Sequence, residues 1–146
     1  MYLAIFLLWT LMLYVLHRVV HKVKFLGFYH ASHHAFINNN LKSGVISTWA
    51  WGNLLLLNDN FRGTVDLWTT EVIPTILFCA VTGHWWVLVG YYLWAALVQE
   101  AIEHNPKFDT PLILSGRKHI LHHKNAATNF GLFFPIWDKI FNTYAK

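Results

Sequence analysis

Charge is scarce in this sequence: 12% of its 146 residues are Asp, Glu, Lys or Arg, about half the share that a soluble domain carries. Cysteine is scarcer still. The single one, Cys79, sits inside an apolar run, which excludes a disulfide framework, argues against a structural cysteine zinc site, and leaves a small buried apolar residue. No basic stripe accompanies the net charge of +4, so nucleic acid is not an indicated partner. Lys and Arg are missing altogether from 1–17 and from 63–106, the two most apolar parts of the chain. What is abundant fits those gaps. Hydrophobic residues make up 55%, and 8 Trp, 6 Tyr and 11 Phe suit a broad membrane–water interface, where aromatic rings settle. The sequence reads as an integral membrane protein of one unit, 1–146, too short for two ordinary domains.

Residues 1–16 hold no charge and no turn former; as a helix they span roughly 24 Å, and continuing to Val20 reaches the ~30 Å hydrocarbon core. They have neither the charged start nor the small-residue cleavage site of a signal peptide, so a retained membrane helix is expected. Val45 to Leu57 is apolar but too short to cross, which predicts an interfacial or re-entrant helix. The apolar region from Leu67 to Val98 is broken at Thr82-Gly83-His84, the signature of a helical hairpin, with Pro74 placed to kink its first arm. The expected fold is all-α, with three crossings at 1–20, 66–82 and 85–103 supporting a cap of short His-bearing helices. The positive-inside rule puts both Lys/Arg-bearing stretches in the cytoplasm and the Gly83 turn opposite. His84 then lies on the far side, and the other nine His on one face.

Those nine form a pattern: His17 and His21 as H-x-x-x-H, His30, His33 and His34 as H-x-x-H-H, His104 four residues after Glu100, and His119, His122 and His123 as a second H-x-x-H-H. On helices, i, i+3 and i+4 side chains share a face, so each group aims its imidazoles into one volume. Imidazole suits iron, zinc, copper and nickel. Nine donors match two ions with about four or five ligands each. A bis-His haem electron carrier would leave most of them unexplained. Asn129 either supports a ligand or holds a loop. Glu100 shares a face with His104 and either acts at the metal or simply ends a helix. Glu103 and Asp109 are expected to be solvated or behind a ligand, and Asp138 to cap the C-terminal helix or pair with a base.

The order of these boxes resembles the fatty acid hydroxylase/sterol desaturase superfamily of membrane di-iron enzymes. The tail adds to it: Asn129-Phe130-Gly131 and Trp137-Asp138-Lys139-Ile140-Phe141 are similar to the family's N-[YF]-G and W-D-[RK]-[LI]-F-G-T. The resemblance covers 10–144. It implies that His17, His21, His30, His33, His34, His104, His119, His122 and His123 hold two iron ions, with zinc able to replace them. It also implies hydroxylation or desaturation of a lipid with dioxygen and two electrons from a separate ferredoxin- or cytochrome-type carrier. A non-catalytic metal- or lipid-binding membrane protein would carry the same boxes. Three features depart from the family: the short stretch before the first box, Asn142 where Gly is usual, and Glu100 where some members carry a His.

Overall fold

An uncharged run of Leu, Tyr, Trp and Met residues has nothing to stop a helix, and the computed structural model forms α1 over Tyr2–Val20. The structure describes residues 1–43, 54–58, 60–99 and 102–146, with backbone alone for 40–43. All regular elements among them are helical. Most of the expected Val45–Leu57 helix lies outside the described residues. α2 (Lys24–Ser43) follows a short turn. At 20 residues it is a full-length helix, not the short cap helix expected.

The hairpin forms, but its first arm begins earlier than its apolar run. Asn60, which reads as loop in sequence, is the N-cap: its side chain accepts from the Gly63 N–H at 2.9 Å, satisfying one of the open N–H groups of a first helical turn. α3 (Phe61–Leu67) therefore starts at Phe61 and runs through a π turn, Trp68–Val72, into α4 (Ile73–Thr82). Pro74 stands just past the π turn. Its ring would crowd the carbonyl four residues back in a regular helix, and a widened turn is one way a helix accommodates such a disturbance. Gly83 stops α4 at φ 73°, its N–H bonded to the Cys79 carbonyl at 2.8 Å, as a left-handed C-cap requires. α5 (Trp86–Trp94) and a second π turn, Ala95–Gln99, return. Two later helices, α6 (Arg117–Lys124) and α7 (Ile136–Ile140), complete the described elements.

Tyr2–Val20 and Phe61–Thr82 are long and apolar enough to cross a membrane, at about 28 and 33 Å. Trp86–Gln99 is apolar and shorter. Their shared core is Trp9, Leu13, Val72, Cys79, Val87 and Tyr91, pinned by the Trp9 indole N–H on the Thr75 hydroxyl at 3.0 Å. In a bilayer such packing and interhelical hydrogen bonds, worth about 1 kcal/mol each, hold helices together in place of the hydrophobic effect. The outward faces stay apolar, with Leu3, Leu77, Val81, Val89 and Leu97 exposed, as a lipid-facing surface demands.

The C-terminal tail folds back onto α1. Tyr14 and Thr143 hydroxyls meet at 2.9 Å, and the Trp137 indole donates to Thr10 at 3.1 Å. The two ends of the chain are thereby joined beside the end of α1 that carries His17.

Candidate metal centre

α1 delivers His17, and His21 caps its C-terminus in helical geometry. α2 delivers His30, His33 and His34, and α6 delivers His119, His122 and His123. The nine nitrogens sort into two groups, His17, His21, His30, His34 and His122 in one and His33, His104, His119 and His123 in the other, the offered atoms of each lying within 4.8 Å of one another. Every clustered His of the sequence is there. His84 is not; it lies in the hairpin turn with Nδ1 2.6 Å from the Thr82 carbonyl.

Each H-x-x-H-H box is divided, which differs from the single volume per box that its spacing suggests. Neighbouring residues on a helix point about 100° apart, so His33 and His34 cannot serve one point. α2 gives its i, i+4 pair, His30 and His34, to the first group and His33 to the second. α6 does the reverse, with His119 and His123 in the second group and His122 in the first. The groups adjoin: the rings of His34 and His123 are 4.3 Å apart.

Ring protons are fixed by what lies behind them. His17 Nδ1 is 2.8 Å from the Phe130 carbonyl, and His122 Nδ1 is 2.7 Å from the Thr128 carbonyl. His30 Nδ1 is 2.8 Å from Asp66 Oδ2. Carbonyls and carboxylates accept, so each Nδ1 carries the proton and each Nε2 presents a bare lone pair. Yet the Nε2 atoms of His17 and His30 lie 3.2 Å apart, and His30 Nε2 is also 3.1 Å from those of His21 and His34. Bare lone pairs at that distance repel unless a cation accepts them. Nitrogens bound about 2.1 Å from one ion stand roughly 3 Å apart, so the donor set fits a metal. In the second group, His123 Nε2 is 2.9 Å from His119 Nε2 and 3.3 Å from His104 Nε2. The Nδ1 atoms of His33 and His123 are buried with no hydrogen-bond partner among the described residues.

Burial, then the crowding of neighbouring imidazoles, keeps the rings of His21, His33, His34, His104, His119, His122 and His123 neutral. The pKa of His21 falls to about 4 and those of His34 and His104 to about 3. His33, His119, His122 and His123 also fall well below the ordinary His range. Neutral imidazole is the form that binds metal.

The supports include residues that the spacing did not disclose. Asp66, buried at the start of a membrane-length helix, orients His30. An acid beside a long apolar run was the available signal. Glu103 is buried, with Oε1 3.6 Å from His119 Nε2, so it stands against a ring of the second group and is not solvated. Asp109 is the exposed partner of Lys118 and Arg117, which hold its carboxyl below the usual range.

The tail motif makes the loop that carries the two orienting carbonyls. Asp138 caps no helix. Its buried carboxylate accepts from the Phe130 and Gly131 N–H groups, both at 2.8 Å, and from the Thr143 hydroxyl at 2.6 Å. Burial raises its pKa against those bonds. Asn129 is fully buried with its amide spent on backbone: it donates to the carbonyls of Lys118 and Ala145 and accepts from the Ala145 N–H. Those bonds tie the loop to α6 and to the C-terminal tail. Glu100 lies outside the described residues.

A cavity opens beside both groups, lined by His17, His30, His33 and His119 and walled by Leu13, Leu56, Leu67 and Leu132.

The chain is 31% identical to cholesterol 25-hydroxylase-like protein 1, member 2, of Danio rerio, over 95% of this chain and 48% of that one. It is 28% identical to methylsterol monooxygenase 1 of Danio rerio, over 89% and 42%. It thus spans about half the length of these curated relatives. No solved structure matches it. The fatty acid hydroxylase family model matches residues 2–143, a range that takes in every histidine of both groups and the loop that orients them, and the chain belongs to that family.

Proposed function

We propose that this chain is a multi-pass membrane oxygenase acting on a lipid, with an iron ion in each histidine group. The observation that carries the reading is the pair of converging sets of imidazoles, three of them with Nδ1–H committed to Asp66 or a loop carbonyl so that Nε2 is free to bind. Bound there, the irons would supply dioxygen activation for inserting oxygen into, or removing hydrogen from, a C–H bond, with two electrons from a separate ferredoxin- or cytochrome-type carrier.

The chain's own part is binding and orientation. Leu13, Leu56, Leu67 and Leu132 exclude water and hold an alkyl segment against the histidine-lined end. Asp66, Phe130 and Thr128 fix three rings, and Asp138 and Asn129 hold the loop that bears two of those acceptors. We assign Asn129 this positioning role. The relatives' names, a cholesterol 25-hydroxylase-like protein and a methylsterol monooxygenase, make sterols one substrate class to test alongside fatty acyl chains. Trp86–Gln99 belongs to the third crossing, the one expected over 85–103. Both basic stretches, and with them the metal groups, then face the cytoplasm. Zinc replaces iron where iron is short.

Host-membrane lipids compared with and without expression test the reading. A lipid gaining one oxygen or losing two hydrogens is expected, and is expected to vanish with His122→Ala. No such change, from folded and metal-loaded protein supplied with an electron donor, would favour a metal-binding protein without turnover.

A further inference from the structure

Glu71 stands outside both histidine groups and outside everything that supports them. It sits on the π turn Trp68–Val72 of a helix long enough to cross the membrane, where an ionisable side chain is costly and a functional role is the default reading. Among the described residues its one hydrogen-bond partner is Tyr91, whose hydroxyl donates to Oε2 at 3.1 Å. A carboxyl has acceptor sites on both oxygens, so Tyr91 leaves most of its capacity unused. Glu71 lines the cavity shared with His17, His30 and His119. The second π turn, Ala95–Gln99, lines the same cavity through Ala95 and Gln99. A π turn in a helix is found frequently at functional sites, and here two of them from different helices face one space.

The cavity is polar on this side as well as leucine-walled, with Thr70, Glu71 and Gln99 in its lining, so an occupant meets groups able to hydrogen-bond it. A hydroxyl on an occupant of the cavity can use the acceptor sites that Tyr91 leaves open. Glu71 lies five residues beyond Asp66, roughly 7.5 Å along the helix, so such a hydroxyl sits on the bilayer side of the histidine-lined end. We propose that Glu71, held by Tyr91, recognises a hydroxyl group on the bound lipid and selects hydroxyl-bearing lipids over those whose oxygen is etherified. The inference rests on the lipid-oxygenase reading, and adds to it the substrate feature that the cavity selects.

The test uses the full chain loaded with zinc, so that binding is read without turnover, in phosphatidylcholine nanodiscs. Two equimolar probe pairs are offered, hexadecanol with hexadecyl methyl ether and cholesterol with cholesteryl methyl ether, and retained lipid is measured by mass spectrometry. Wild type is expected to favour the alcohol of at least one pair about tenfold, the preference that one ordinary hydrogen bond gives. Glu71→Leu is expected to lose that preference while keeping wild-type metal content, with a small fall in thermal stability from the lost Tyr91 bond. Glu71→Gln, still able to accept and donate, is expected to retain most of it. No preference in wild type, or an unchanged one in Glu71→Leu, overturns the proposal. Should Glu71→Leu not be recovered folded, Tyr91→Phe decides: a severalfold loss of preference supports the proposal and an unchanged preference overturns it. Failure to hold metal in the wild type would count against the two-ion reading, so the two failures are separable.

Discussion

His30 depends on Asp66 for its tautomer: the carboxylate 2.8 Å from Nδ1 keeps the proton there and turns Nε2 toward three other imidazoles. Removing such an outer partner commonly lowers metal affinity 10–100-fold. Asp66→Ala is therefore expected to weaken metal binding by roughly that factor in a chelator competition, and Asp66→Asn by less, since its amide oxygen still accepts. Wild-type affinity in Asp66→Ala would remove the residue from the account. The nine histidines were legible because spacings of three and four residues report a shared helical face directly. Asp66 was not, because its partner is 36 positions away. The acceptors at Phe130 and Thr128 are backbone carbonyls, which no side-chain pattern reveals. Asn142 is a milder case. It replaces the Gly usual in the family, and its φ of 56° is the left-handed conformation that Asn tolerates next best.

At the scale of elements, α6 owes its position to Gly116. Gly116 has φ 67° and ψ −128°, and its N–H binds the Glu103 carbonyl while Arg117 N–H binds that of Phe108. A Cβ there would lie 2.0 Å from the Phe108 carbonyl oxygen. Gly116→Ala is expected to cost about 1–3 kcal/mol from the backbone conformation alone, with the clash added. It should lower thermal stability and metal content together, because α6 carries three of the nine rings. Metal content at the wild-type level in a destabilised Gly116→Ala would show that α6 is held elsewhere. The hairpin was readable from Gly83, and α1 from its uninterrupted apolar run. The π turns were not, since propensity does not distinguish i→i+5 from i→i+4 bonding. The start of α3 was misplaced because an Asn that caps a helix looks, in sequence, like an Asn in a loop.

Across the whole molecule, each metal group draws on distant parts of the chain, the first on residues 17 to 122 and the second on residues 33 to 123. Metal binding and folding are thus coupled. Protein stripped of metal retains crowded imidazoles whose pKa values are depressed, to about 4 for His21 and about 3 for His34 and His104. The unfolded chain takes up protons first, near the ordinary His value of about 6.5, so stability contributed by the neutral rings is present above that pH and is lost as pH falls toward the folded values. Thermal unfolding of chelated protein is expected to shift steadily downward between pH of about 6.5 and about 3; a flat profile would mean the rings are not held neutral by the fold. The most direct test of the account is the metal count of gently purified protein from iron-replete cells, compared among wild type, His122→Ala and His84→Ala. The account predicts two iron ions per chain in wild type and in His84→Ala, with most of the metal lost from His122→Ala. One ion or none in fully folded wild type, or equal loss from both variants, would contradict it.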